Sequence, residues 1–249
     1  MYRSLCTAIV SVGAATALAV GGVAPAFAAD GTPAPKPTHA TASLSAIQQR
    51  GATLISDRLA SLGTAITRVT AAKDATASDR TKILDTLNSD KSGLSSLAAK
   101  IQADTSVATA RADVKSIFTT YRVYAVALPQ SYVAIGADRI ADTAVPRLQS
   151  AHDRLQGRGA DKAQLAVMQN DIDTAAQDVK GLDAEALAVT PAAFNADHSV
   201  MSALRARLKD AVAHVKAAAK IGKDLVGTKA PHASAPATPT PAPSTTGAS

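Results

Sequence analysis

Apolar residues recur at intervals of three and four along most of this chain, and this period is the strongest constraint on its fold. It places apolar side chains on one face of a helix, and no segment shows the alternation of a β-strand. We therefore predict an all-α fold for residues 43–227. The predicted helices run from about Ser43 to Ala72, Ser78 to Ala103, Ser106 to Gln156, Asp161 to Ala186, and Thr190 to Gly227.

The third helix is predicted to be the longest, because its stripe continues without a change of period through Pro129 and Pro146. A proline inside a helix removes one hydrogen bond and presses on the carbonyl four residues earlier, so we expect a kink at each. The sequence leaves open whether either proline ends the helix instead.

The other predicted helices are about half as long as the third, which favours an elongated antiparallel bundle. In this arrangement two tandem three-helix bundles share the long kinked helix, and the architecture resembles spectrin-type repeats. A single five- or six-helix up-and-down bundle is the alternative. Ser78 or Asp79 is the expected N-cap of the second helix, and Asp161 with Gln164 three residues later predicts the start of the fourth.

The N-terminus has the pattern of a signal peptide at residues 1–28. Arg3 precedes an apolar run, and Ala26-Phe27-Ala28 supplies a small-residue cleavage site before Ala29. The sequence therefore predicts that the chain is exported and becomes a secreted or envelope-associated protein with no transmembrane segment. Proline-rich composition predicts a disordered linker at residues 29–42 and a disordered tail at residues 228–249, which could be glycosylated.

The composition of the exported chain excludes several kinds of site. Its only cysteine, Cys6, lies in the signal segment, so disulfides and thiolate chemistry are excluded. Without Arg3 the chain has 25 basic and 20 acidic residues. The excess of basic residues lies between Val200 and Lys229, where any electrostatic binding surface should be sought.

Five basic residues of the last helix fall on one narrow face, which predicts a possible binding surface. These residues, the basic stripe, are Arg205, Lys209, Lys216, Lys220 and Lys223. Anionic wall polymer, lipid headgroups or nucleic acid could bind there. The competing interpretation, which the sequence favours, is that the stripe pairs with acidic residues of the fourth helix across a coiled coil. Those acidic residues are Asp171, Asp178 and Glu185.

A group of aromatic residues around Pro129 is the second candidate surface. The aromatic patch comprises Phe118, Tyr121, Arg122, Tyr124 and Tyr132. It could bind a small molecule or a glycan, but helical spacing favours side chains that fill space at the kink.

No catalytic, cofactor or metal site is predicted. His152, His198 and His214 lack the spacing of a helical zinc site, and Asp138 and Asp142 are explained equally well as solvated surface groups. Phosphate loops and nucleophile motifs are absent from the sequence. We therefore expect a non-enzymatic protein.

The segment from Tyr121 to Gln130, followed by Ala137-Asp138-Arg139, resembles uncharacterised secreted, alanine-rich coiled-coil proteins of actinobacteria. The resemblance covers about Ser43 to Gly227 and implies an exported helical protein, with no activity or site residues to carry over. The sequence thus predicts a helical spacer or binding element of the cell envelope, whose partner is a protein or a wall polymer. The alternatives are a peripheral binder of anionic lipid and a ligand binder at the aromatic patch. Nucleic acid is not expected as a partner of an exported chain, and the oligomeric state is open.

Overall fold

The structure is a computed structural model that describes residues 43–227. The predicted signal peptide, linker and tail lie outside this range. Every regular element within it is helical, which confirms the all-α prediction. The α-helices are α1 (Leu44–Ala71), α2 (Ala77–Ala103), α3 (Val107–Ser116), α4 (Leu128–Asp138), α5 (Val145–Gly157), α6 (Lys162–Val179), α7 (Leu182–Leu187), α8 (Pro191–Ala196) and α9 (Val200–Gly227). Three π-helical segments are π1 (Ile117–Tyr121), π2 (Val123–Ala127) and π3 (Arg139–Ala144).

The first two helices form an antiparallel hairpin at nearly the predicted positions. The hydroxyl of Ser43 caps α1 by accepting a hydrogen bond from the backbone N–H of Ala46 at 3.2 Å. The cap of α2 is Thr76 rather than Ser78 or Asp79, because the Thr76 hydroxyl accepts from the Asp79 backbone N–H. The Asp79 side chain is thereby free to point into the interior, where it is buried.

The prediction of one continuous helix from Ser106 to Gln156 is wrong. The backbone breaks at Arg122, which adopts the left-handed conformation with φ of 45°. Such a conformation costs a non-glycine residue roughly 1–2 kcal/mol. Two contacts of its side chain offset this cost: Arg122 Nε donates to Asn195 Oδ1 at 2.8 Å, and the guanidinium lies over the ring of Phe194.

Neither Pro129 nor Pro146 ends the helical path, which continues from Val123 to Gly157 through alternating π and α segments. Pro129 and Pro146 each occupy the first turn of a new segment, α4 and α5, where no intrahelical N–H donor is required. A π segment precedes each proline. The N–H of the residue before it therefore bonds to the carbonyl five residues back, as Leu128 does to Val123 and Val145 to Ile140. This widening relieves the pressure of the proline ring on the preceding turn.

The predicted fourth and fifth helices are each divided in two. Gly181, with φ of 69°, separates α6 from α7, because a residue without Cβ enters the left-handed region at little cost. The α8–α9 boundary forms where the Asp197 carboxylate accepts from both the N–H and the hydroxyl of Ser199. The predicted cap of α6 is confirmed, since Asp161 accepts from the Gln164 N–H at 2.8 Å.

Three apolar cores hold the helices together. The first lies among α1, α2, α3, π1 and π2, and includes Ile55, Leu62 and Leu94. Another lies among α5, α6 and α9. The core between them joins α4, π3, α7 and α9. The N-terminal and C-terminal helices therefore pack in separate groups, while α4 contacts α2, α7 and α9 and connects the groups.

Candidate functional site

The basic stripe lies on the solvent-facing side of α9. All five of its residues are exposed. At 3.6 residues per turn, they fall within a sector of about 60° that extends about 27 Å along the helix axis. The structure therefore gathers the predicted stripe into one continuous row of cations.

The opposite side of α9 is used by the fold. Its apolar residues are buried against α4, α5 and α6. They are Met201, Leu204, Leu208, Ala211, Ala218 and Leu225. The basic stripe therefore lies on a side of α9 that the cores of the fold do not use.

The favoured interpretation, pairing of the stripe with acidic residues of the fourth helix, does not hold in the structure. Glu185 pairs with Arg207, and Asp171 lies 3.0 Å from His214 Nδ1; neither partner belongs to the stripe. The third acidic residue, Asp178, forms no ion pair in the described part of the chain, and its Oδ2 is buried without a hydrogen-bond partner.

Only one stripe residue has an ionic partner within residues 43–227. Lys220 Nζ lies 2.7 Å from Asp224 Oδ2, one turn further along the same helix. The other four form no ion pair with any residue of that range. Their charges are free to attract an external anion.

The aromatic patch is divided by the fold. Phe118 and Tyr124 share one partner, the buried guanidinium of Arg58, which lies 4.7 Å and 5.0 Å from the two ring centroids. Arg58 also donates from Nη1 to the carbonyl of Leu54 at 2.8 Å. The rings of Phe118 and Tyr124 remain 39% and 48% exposed, so they form a surface that a planar ligand could contact.

The remaining patch residues have other surroundings. Tyr121 packs against Gly93 of α2, and burial, together with the charge of Asp90, raises the pKa of its hydroxyl. Arg122 faces α8, as described above. Tyr132 is 69% exposed on α4. The kink predicted at Pro129 is therefore not the centre of one aromatic site.

The structure also brings together three carboxylates that no sequence pattern relates to one another. Asp79, Asp138 and Asp183 come from α2, α4 and α7, and one oxygen from each lies within 4.8 Å of the others. We call them the carboxylate cluster. Asp79 and Asp138 are buried, with 4% and 5% of their surfaces exposed.

Several groups stabilise the negative charge of the cluster. Asp138 Oδ2 accepts from the Thr76 backbone N–H at 2.8 Å, and Lys82 Nζ lies 3.1 Å from Asp79 Oδ1. Asp79 and Asp183 occupy the first turns of α2 and α7, where the helix dipole favours anions.

The pKa values of two members shift in opposite directions. Burial acts to raise the pKa of Asp79, but hydrogen bonds from Lys82 and Thr76 outweigh it and hold the value below the usual range. Burial raises the pKa of Asp138, and the neighbouring carboxylates of Asp79 and Asp183 raise it further, against the hydrogen bond from Thr76. The three oxygens of the cluster are ligands of the kind that hard divalent cations prefer.

None of the three histidines considered above belongs to a group of three or more potential metal ligands within residues 43–227. His214 faces Asp171, and His152 lies beside Asp153. His198 packs edge-on against Phe194 at 4.9 Å between centroids. Among residues 43–227 the carboxylate cluster is the one group of three or more potential ligands, and it contains no histidine.

A surface groove of about 560 Å³ lies beside Pro146. It is lined by Asp142, Thr143, Pro146, Arg147, Ser150 and Arg154. Its two arginines and one aspartate give it mixed charge.

No model of a known protein family, no curated protein and no solved structure matches this chain. None of the helices in the described range is long and apolar enough to cross a membrane.

Proposed function

We propose that this protein is a non-enzymatic helical module of the bacterial cell envelope, which binds an anionic wall polymer through the basic stripe. The observation that carries the proposal is the row of five exposed basic side chains on α9, four of which have no ionic partner within residues 43–227. Unpaired cations held in a row create a positive potential that attracts polyanions.

The proposal includes export of the chain. It is supported by the basic and apolar N-terminal pattern and by the small-residue site before Ala29. Mass spectrometry of the protein recovered outside the cells tests this directly. An exported form beginning at Ala29 is expected, whereas recovery of the intact chain from the cytoplasm would remove the envelope from the proposal.

The direct test of wall binding is co-sedimentation of the purified protein with purified walls of the bacterium that produces it. The stripe variant changes Arg205, Lys209, Lys216, Lys220 and Lys223 to Gln. The matched control changes five exposed basic residues of other helices to Gln: Arg50, Arg68, Lys91, Lys115 and Lys162. Each set lowers the net charge of the exported chain, which lacks Arg3, from +5 to 0.

We expect the wild type and the control to sediment with walls at low salt, and the stripe variant to remain in the supernatant. Helical content of both variants is checked by circular dichroism, and should be retained because all ten positions are exposed. If the stripe variant sediments like the wild type, the proposal is wrong. If both variants lose binding equally, net charge rather than the stripe is responsible.

A second candidate function is recognition of a small molecule or glycan by the rings of Phe118 and Tyr124. Their partial exposure beside the Arg58 guanidinium favours it, because sugar rings stack on aromatic faces. Wall fragments that bind there should quench tyrosine fluorescence in the wild type and not in a Tyr124→Leu variant. A fragment screen that changes neither fluorescence nor melting temperature would count against it.

A further inference from the structure

We infer that the ligand of the basic stripe is a linear polymer of phosphate groups, which lies extended along α9. This inference rests on the proposed function and specifies the chemistry of its partner.

The row is long and narrow. Its five cations are spaced three, four or seven residues apart and extend over about 27 Å, while their angular spread is only about 60°. A compact anion reaches two neighbouring cations at most. A chain with phosphates at regular intervals contacts all five at once, and each contact after the first is intramolecular.

Insertion into a lipid surface is disfavoured because the apolar face of α9 is already occupied. An amphipathic helix binds a bilayer by burying its apolar face in the headgroup region. Here that face packs into two of the protein's cores through Met201, Leu204, Leu208 and Leu225. The helix would have to leave the fold in order to insert.

A folded protein partner is disfavoured by the side chains that border the row. Ser202, Ala206, Ala213 and Ala219 are all exposed and small. Stable protein interfaces depend on a few large anchors, usually aromatic residues or arginine, that fill pockets of the partner. The border provides no aromatic anchor, and its one large exposed apolar side chain within the described range is Val226, beside Lys223 at the C-terminal end of the row. Along the rest of the row, the small border residues let a flexible chain approach the cations closely.

The cations themselves suit phosphate. Four of the five are lysines, whose ammonium groups act as compact point charges and need no planar, two-pronged acceptor. A phosphate group of a flexible chain carries negative charge on several oxygens, so it can pair with an ammonium group in any rotation of the chain. Polymer binding at the stripe should therefore follow the rule for linear polyanions, in which each neutralised phosphate releases condensed counterions.

The test measures binding of the purified protein to long-chain inorganic polyphosphate as a function of salt. For five contacts on a flexible single chain, the logarithm of the binding constant should fall with that of the salt concentration with a slope of about −3.5. Binding should weaken about 100-fold between roughly 0.05 M and 0.2 M salt. Lys216→Gln alone should reduce the slope by about 0.7.

The same assay includes the stripe variant, the matched control, pyrophosphate and vesicles of phosphatidylglycerol and phosphatidylcholine in equal parts. We expect polyphosphate binding by the wild type and the control, little binding by the stripe variant, and much weaker binding to pyrophosphate. The inference is overturned if vesicles bind as tightly as polyphosphate through the stripe, if pyrophosphate binds equally well, or if the control loses binding with the stripe variant.

The two proposals fail in different ways. If the protein binds walls through the stripe but does not bind polyphosphate, the proposed function stands and the inference that the ligand is a phosphate polymer is refuted. Absence of stripe-dependent binding to both refutes both proposals. Lys216→Gln keeps the slope measurable even if the fivefold variant does not fold.

Discussion

The carboxylate cluster gives the sharpest prediction about stability, and the perturbation is Asp138→Asn. Its oxygens lie within 4.8 Å of those of Asp79 and Asp183. Two unit charges at that separation repel by about 3.5 kcal/mol at an effective dielectric constant of 20. Lys82 and the helix N-termini offset part of this repulsion.

Asparagine removes one charge and keeps an oxygen that accepts from the Thr76 N–H. Its amide N–H groups can also donate to the remaining carboxylates. We expect the free energy of unfolding at neutral pH to rise by about 1–2 kcal/mol, which corresponds to an increase in Tm of about 2–8 °C.

The pH dependence of this gain has a definite sign. Burial and the neighbouring carboxylates raise the pKa of Asp138, so its contribution to stability is complete below its ordinary pKa and is lost as the pH rises through the raised value. The advantage of Asp138→Asn over the wild type should therefore be small near about pH 4 and largest near neutrality.

Asp138→Ala is the matched control, because it removes the charge together with the acceptor. The Thr76 N–H then loses its partner in a part-buried position. The alanine variant should be about 1–3 kcal/mol less stable than the asparagine variant.

The assay is thermal and urea unfolding, followed by circular dichroism at several pH values in the presence of a chelator. The chelator matters because a bound divalent cation would also remove the repulsion. The predicted repulsion within the cluster is refuted if Asp138→Asn is no more stable than the wild type at neutral pH, or if the difference between them does not change with pH.

Three further changes test other parts of the fold. Gly93→Ala should lower the stability by about 1 kcal/mol in urea unfolding, because the added methyl would lie 2.5 Å from Cε1 of Tyr121; a stabilised variant would show that the ring moves freely. Asp90→Asn should raise the stability above about pH 6 by about 1 kcal/mol, after allowance for its half-exposed position. Burial raises the pKa of Asp90 to about 6, so the gain should disappear as the pH falls towards about 4, and a pH-independent gain would contradict this cause. Asn195→Ala removes the acceptor for Arg122 and should speed amide hydrogen exchange in α8; unchanged protection there would show that the contact does not hold α8 in place.

The helical content and most helix ends could be predicted from the sequence, because both depend on local chemistry. The spacing of the apolar residues determines which face of a helix is buried. Short polar side chains such as those of Ser43 and Asp161 cap a helix by accepting from a backbone N–H three residues later. The position and narrow width of the basic stripe follow from the same period. All of these features are properties of one helix at a time.

The partners of those faces were decided only by the tertiary structure. The sequence indicated correctly that acidic residues face α9, but the register of two packed helices gave them Arg207 and His214 and left the stripe exposed. The break at Arg122 has no local signal either, since no glycine, asparagine or aspartate stands there. Its cost is offset by Asn195 and Phe194, more than 70 residues along the chain.

The carboxylate cluster is the clearest case of a feature that only the tertiary structure decided. Asp79, Asp138 and Asp183 lie on separate helices, and no spacing in the sequence relates them. They meet because α2, α4 and α7 all contact one another in the fold. Local chemistry therefore determined where the helices form and which face of α9 carries the basic stripe. The packing of distant segments decided which charges are paired, which are buried together and which remain free for a ligand.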